Sequence, residues 1–204
     1  QIGSFIYDNH SIIISRTGYT GEDGFELSIP NKIIHEFIND LIKDNSILLC
    51  GLGSRDTLRL EAGLSLYGNE LTEDLTPVDA SLTWAIAKSR FISGGFNGFT
   101  TISNQIKNGV TQKRVGIKSN NKSILRSHMK IYNKNNKNIG KITSGGFSPT
   151  LKISIAIAYI DKFVSENVDK LYCLIRNNLE EIEITKLPFV KHNYRSIEVK
   201  YENL

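Results

Sequence analysis

Ser15 to Pro30 reads SRTGYTGEDGFELSIP, three glycines (Gly18, Gly21, Gly24) set among Thr17, Tyr19, Thr20, Glu22 and Asp23, followed by strict alternation of apolar and polar residues from Phe25 to Ile29. Glycine tolerates positive φ and close backbone approach, so three within seven positions describe a tight, shaped loop rather than a flexible linker. The alternation that follows predicts a strand in which Phe25, Leu27 and Ile29 face a core while Glu26 and Ser28 face away. A carboxylate then stands on a stiff element just past a glycine loop. The same spacing also fits an ordinary hairpin with a solvent-facing Glu.

Working outward, the 204 residues allow one large domain or two small ones, and 40% hydrophobic content is ordinary for a globular chain. No run approaches the roughly 18 apolar residues of a membrane span, and the N-terminus lacks a secretory pattern. These features predict a soluble protein with no membrane partner. Cys50 and Cys173 lie far apart without CxxC spacing and read as thiols of a reducing compartment. The start at Gln1, without Met and close to the strand-like run from Ser11 to Ile14, reads as a fragment with sequence missing upstream.

The net charge of +4 conceals an asymmetry: 7 Lys/Arg against 13 Asp/Glu up to Gln105, and 18 against 8 from Ile106 onward. A basic half fits nucleic acid, a membrane surface or an acidic protein. Its lysines are spread through strand-like alternation and Asn-rich turns without interleaved stacking aromatics. The preferred reading is a solvated polar face with no nucleic acid; an acidic protein partner is the alternative.

Helical spacing of Ile33, Ile34, Phe37, Ile38, Leu41 and Ile42 predicts a helix over 31–43 capped by Asn31. Ile47 to Leu49 reads as a short buried strand. A second helix is expected to open at Ser54 as N-cap, with Arg55 and Arg59 one turn apart on a shared face. Gly51-x-Gly53 is no dinucleotide loop, because Asp56 replaces the third glycine. Thr76-Pro77-Val78-Asp79 resembles a helix start, and Phe99 to Lys107 a short helix. From about Val110 the pattern changes to short strands: 114–118, 128–132, 139–143, 153–160, 171–176 and 181–187, with 133–138 as a polar hairpin tip. Six strands at this spacing predict a small barrel or sandwich, and place a domain boundary near Asn108.

The isolated histidines (His10, His35, His128, His192) give no metal-ligand spacing, and neither a GxSxG elbow nor a phosphate loop occurs. Ser144 to Pro149, SGGFSP, reads as a strand-connecting loop or an anion-binding turn.

The strings TGYTGEDGFEL, GLGSRDTLRLEAGLSLYGNEL, TPVDASLTWAIAK, RVGI, IGKITSGGFSPTL, IAIAYI and LPFVKHNY, in this order, resemble the glycine cleavage system T-protein family of aminomethyltransferases. The resemblance covers nearly the whole chain. It implies an α+β fold: part of a middle folate-binding module of antiparallel sheet and helices over 1–108, then a small C-terminal β-barrel over 109–204. It also implies tetrahydrofolate as cofactor, lipoylated H-protein as partner, and transfer of an aminomethyl carbon to give methylenetetrahydrofolate and ammonia. The compartment implied is the cytoplasm, or the mitochondrial matrix in a eukaryote.

By motif, Glu26 resembles the family's pterin-binding glutamate, Arg55 the arginine accompanying it, and Tyr194 an aromatic closing on the cofactor. The family's catalytic aspartate belongs to an N-terminal half to which nothing here corresponds, so no catalytic residue is assigned and the chain is expected to be inactive alone. Two alternatives share the fold: the folate-binding module of a sarcosine or dimethylglycine dehydrogenase-like flavoenzyme, and a non-catalytic folate-binding protein of iron-sulfur assembly. The GEDG and RLEAGLSLYGNEL strings favour the T-protein over the first, and the absence of a cysteine signature from Thr17 to Thr20 disfavours the second.

Overall fold

A computed structural model describes residues 2–119, 123–162 and 170–195, and contacts divide them into two compact units. One runs to Arg59 and takes in the described residues from Lys191 onward; the other is Leu60–Val190.

The first unit is built on a three-stranded antiparallel sheet, β1 (Ile2–Tyr7), β2 (His10–Ser15) and β3 (Glu26–Ser28). Asp8 and Asn9, both at positive φ, make the two-residue turn between β1 and β2. This is the hairpin chemistry in which Asp and Asn tolerate left-handed backbone. Register pairs Phe5 with Ile12 and Ile14 with Leu27 on one face, and Ser4 with Ile13 and Ser15 with Glu26 on the other. Helix α1 (Ile34–Leu41) covers the first face: Ile33 and Phe37 pack with buried Ile12, flanked by Tyr7 and Ile29.

Three expectations for this unit are corrected. Phe25 and Leu27 are 62% and 38% exposed, because the eight-residue α1 seats Phe37 against Phe5 and Tyr7 and leaves the β3 end uncovered. Asn31 does not cap α1; the N-cap is Ile33, without a side-chain hydrogen bond. The segment 47–49 forms no strand, and Leu48 and Leu49 stay exposed, since no described element packs on them.

Helix α2 (Leu52–Glu61) begins two residues before the expected cap. Ser54 and Arg55 already donate their N–H groups to Gly51 O, which draws Ser54 into the first turn. The last residues of α2, Leu60 and Glu61, belong to the second unit.

That unit is a closed antiparallel barrel of β4 (Gln112–Ser119), β5 (Lys130–Asn133), β6 (Asn138–Ser148), β7 (Ile153–Asp161), β8 (Leu171–Ile175) and β9 (Asn178–Thr185), in the order β4-β7-β6-β5-β8-β9. Closure removes the sheet edges. Its interior is lined by Val115, Ile117, Ile131, Ile142, Ala156, Ala158, Ile160, Leu171 and Cys173 among others. β7 reads as nearly continuous apolar sequence because both its faces are covered: Ala156 and Ala158 point into the barrel core, while Ile155 and Ile157 pack on Leu60.

SGGFSP is a correction, being mostly the end of strand β6. A Cβ on Gly145 would stand 2.7 Å from Leu125 O, so glycine here admits a neighbouring backbone rather than making a turn. Thr76 and Asp79 make the reciprocal bonds of a cap, Thr76 N–H to Asp79 Oδ2 at 2.9 Å and Asp79 N–H to Thr76 Oγ1 at 3.3 Å. No helix follows, because Ser81 takes φ 59 and ends the turn. A 3₁₀ turn (Thr83–Ala85) and helices α3 (Lys88–Ser93) and α4 (Phe99–Asn108) lead into the barrel.

Candidate functional site

The glycine-rich loop of the first unit is held from both ends by charge. Arg16, just past β2, donates Nε to Asp23 Oδ1 at 3.0 Å and Nη2 to Oδ2 at 2.8 Å, a two-pronged bond that closes the loop on itself. Such paired bonds fix orientation as well as distance. Asp23 is held below the ordinary carboxylate range by this guanidinium first, with a further contribution from the Arg195 backbone. Arg16 is pushed above its own ordinary value by the same bond.

Within the closed loop, Thr17 donates its hydroxyl to Glu26 Oε2 at 2.5 Å. Two residues on, the Tyr19 ring lies under the Arg55 guanidinium, 4.8 Å from centroid to Cζ. Glu26 and Arg55 are both exposed. They form no ion pair with each other among the described residues; each is fastened to the same loop through a different side chain. Asp56, which stands beside Arg55 in sequence, is taken by buried Arg59 (Nε to Oδ1, 2.7 Å). Arg55 and Arg59 thus share a helix and differ in environment.

Tyr194 lines a cleft of about 450 Å³ together with Arg16, Thr17, Gly18, Glu22, Asp23, Gly24 and Arg195. Asn193 N–H donates to Gly21 O at 2.8 Å and bridges Glu22, which seats the C-terminal segment against the loop. The rings of His192 and Tyr194 lie 4.9 Å apart, tilted against each other. Arg16, Thr17, Tyr19 and Asp23 carry this arrangement and were not singled out by the sequence reading. Opposite charges at the two ends of a glycine loop, Arg16 and Asp23, were the available signal.

Sequence reading also passed over two buried carboxylates of the second unit. Glu61 accepts from Ser148 Oγ, Thr150 N–H (3.1 Å) and Thr150 Oγ1 (2.7 Å). Glu70, wholly buried, accepts from Thr143 Oγ1 and from Leu66 N–H at 2.9 Å, while its carbonyl takes the Tyr159 hydroxyl. Burial pushes that phenol up to about 12. These carboxylates fasten the 60–71 segment to the outside of the barrel.

The GCVT N-terminal domain family matches residues 3–90, and the glycine cleavage T-protein C-terminal barrel domain matches residues 112–191. The chain belongs to the glycine cleavage T-protein family. Among curated relatives, mitochondrial aminomethyltransferases of Flaveria trinervia and Pisum sativum are 45% and 46% identical over 183 residues, 89% of this chain and 45% of theirs. That of Dictyostelium discoideum is 41% identical over 192 residues. The crystal structure of the glycine cleavage system aminomethyltransferase T from Bartonella henselae superposes with a TM-score of 0.85 at 35% identity, covering 91% of this chain and 51% of that one. The chain thus spans about half the length of the curated relatives it matches. Its α+β fold ending in a closed barrel is the one the resemblance implied. Among the described residues no helix is long and apolar enough to cross a membrane.

Proposed function

We propose that this chain supplies part of the tetrahydrofolate site of an aminomethyltransferase of the glycine cleavage system, with Glu26, Arg55 and Tyr194 as its folate-binding residues. The observation that carries the reading is the glycine loop that anchors Glu26 through Thr17 and Arg55 through Tyr19 within a chain matched by both T-protein domain families. The donor set suits a reduced pterin. Thr17 occupies Oε2 of Glu26, and among the described residues Oε1 has no hydrogen bond, so the carboxylate keeps acceptor capacity for a ring N–H and its adjacent amino group. Arg55, a fork of donors, suits a ring carbonyl or the folate carboxylates. Tyr194, half exposed beside the loop cleft, offers an aromatic face.

Tetrahydrofolate, when bound, is the acceptor of the transferred one-carbon unit. The residues of this chain hold and orient it; the donor is the aminomethyl group on the lipoyl arm of H-protein. The excess of basic residues from Ile106 onward supports an acidic protein partner or the acidic tail of a folate. We place the boundary between the folate-binding part and the barrel near Asn108, between the two family matches, and the protein in the cytoplasm or, in a eukaryote, the mitochondrial matrix.

The test is methylenetetrahydrofolate formation from aminomethyl-loaded H-protein by the protein that carries this chain, alongside tetrahydrofolate affinity. Glu26→Gln keeps the shape and replaces an acceptor oxygen by a donor, so affinity should fall by roughly 1.5–3 kcal/mol, the scale of a charge-assisted hydrogen bond. Unchanged affinity would remove Glu26 from the site.

A further inference from the structure

We infer that Thr17 and Tyr19 are positioning residues, one for Glu26 and one for Arg55, and that the loop works as a two-point holder presenting an acceptor and a donor to one planar ligand. The inference rests on the folate-site reading above and goes beyond it, because neither residue is itself assigned a contact with the ligand. Glu26 is exposed on a three-residue strand, and Arg55 is exposed in the first turn of α2. Left to themselves, a long carboxylate and a longer guanidinium sample several rotamers, and ordering them on binding reduces affinity. The loop takes up that ordering beforehand.

The division of labour follows from chemistry. A hydroxyl can donate to one carboxylate oxygen while leaving the second oxygen to accept, and Thr17 bonds only Oε2. An aromatic face holds a guanidinium without consuming any of its N–H donors, and the Tyr19 ring does this for Arg55. Each partner therefore fixes direction while keeping the hydrogen-bonding groups a ligand would need. Gly18, between the two, lines the cleft, and a Cβ there would meet nothing within 4 Å. Thr17 and Tyr19 thus flank a residue whose missing side chain leaves the approach open. The Arg16–Asp23 bond closes the loop around this trio and fixes the backbone from which both side chains project.

The experiment is a pair of double-mutant cycles on tetrahydrofolate affinity in the protein that carries this chain. Thr17→Val, which removes the hydroxyl at nearly constant shape, should weaken binding about tenfold, and Thr17→Ser, which keeps it, should stay within about twofold of the parent. In a Glu26→Gln background, Thr17→Val should add less than about twofold, because the group it orients is already altered. Tyr19→Leu should weaken binding about fivefold, Tyr19→Phe should restore it, and Tyr19→Leu should add little to Arg55→Ala. A Thr17→Val penalty of equal size in the parent and in the Glu26→Gln background, or no penalty where Glu26→Gln is damaging, overturns the positioning role and leaves the folate-site reading standing. Full affinity in Glu26→Gln overturns the reading and the positioning role together.

Discussion

The barrel and the three-stranded sheet solve the same problem with different completeness. The barrel pairs every strand on both sides and, among the described residues, buries thirteen in one cluster. The sheet keeps β1 and β3 as edges and buries three, Ile12, Ile33 and Phe37, on a single face. Its other face carries Ile2, Ile6 and Ile13, exposed by 80%, 70% and 51%, beside Glu26. Closure lets a barrel use its apolar surface internally, whereas an open sheet of three strands under one short helix leaves half its surface to whatever it meets. In this chain the barrel carries the packed core, and the candidate binding groups sit on the less completely covered unit. Binding loops are commonly drawn from the less stable parts of a fold.

The largest effect should come from the barrel core. Ile142 is fully buried, and Ile142→Ala should cost about 2–5 kcal/mol through lost burial and a residual cavity. Ile13→Ala, on the open face of the sheet, should change stability by no more than about 0.5 kcal/mol. Denaturant unfolding of the two variants measures the difference. Equal losses would mean that Ile13 is covered in solution and that the contrast between the units is false.

Next in size is the fastening of the 60–71 segment. Glu61→Ala strands the Ser148 hydroxyl and two Thr150 donors, and should destabilise the barrel unit by about 1–3 kcal/mol. Glu61→Gln, which retains one acceptor oxygen, should lose less. Thermal unfolding checks the order, and an Ala variant as stable as the Gln variant would show that water replaces the lost bonds.

The strands of the barrel were legible because they alternate or, in β7, run continuously apolar between turn residues; six at short spacing left barrel and sandwich both open, and the family resemblance implied the barrel. What misled was local chemistry overruled by context. SGGFSP looks like a loop by composition and is strand because Gly145 admits Leu125 O; the segment 47–49 looks buried by composition, yet Leu48 and Leu49 are exposed because no described element packs on them. The Thr76–Asp79 cap formed without its helix, since a cap satisfies the first turn only and Ser81 turns the chain away. For the candidate site, Glu26, Arg55 and Tyr194 could be named by motif, but what holds them could not. Thr17 to Glu26 is a contact between residues nine positions apart across the β2–β3 connection, and Tyr19 to Arg55 joins a loop to a helix 36 positions away. Neither has a periodicity to read. Glu61 and Glu70 escaped because a carboxylate at a helix end or in a polar loop shows no local sign of burial until its hydroxyl partners, more than seventy residues on, are in view.

The smallest effect, and the one that bears most directly on the loop, is its response to acid. Asp23 has a folded-state pKa depressed below the ordinary aspartate value by the Arg16 bond, so the bond favours the folded loop at every pH above the unfolded value of about 3.9. That contribution is lost as pH falls through the depressed folded value. The loop should therefore be unchanged between about pH 7 and pH 5, and loosen only below about pH 4. Both partners are solvent-accessible, so the response should be local and weakened by salt, with no collapse of the barrel. The amide signals of Gly18, Gly21 and Gly24, followed by NMR against pH, report it, and Asp23→Asn should abolish the acid-dependent shift while leaving the barrel signals in place. A transition at these glycines that survives in Asp23→Asn would assign the acid response to another carboxylate, and would separate the closure of the loop from the Arg16–Asp23 bond.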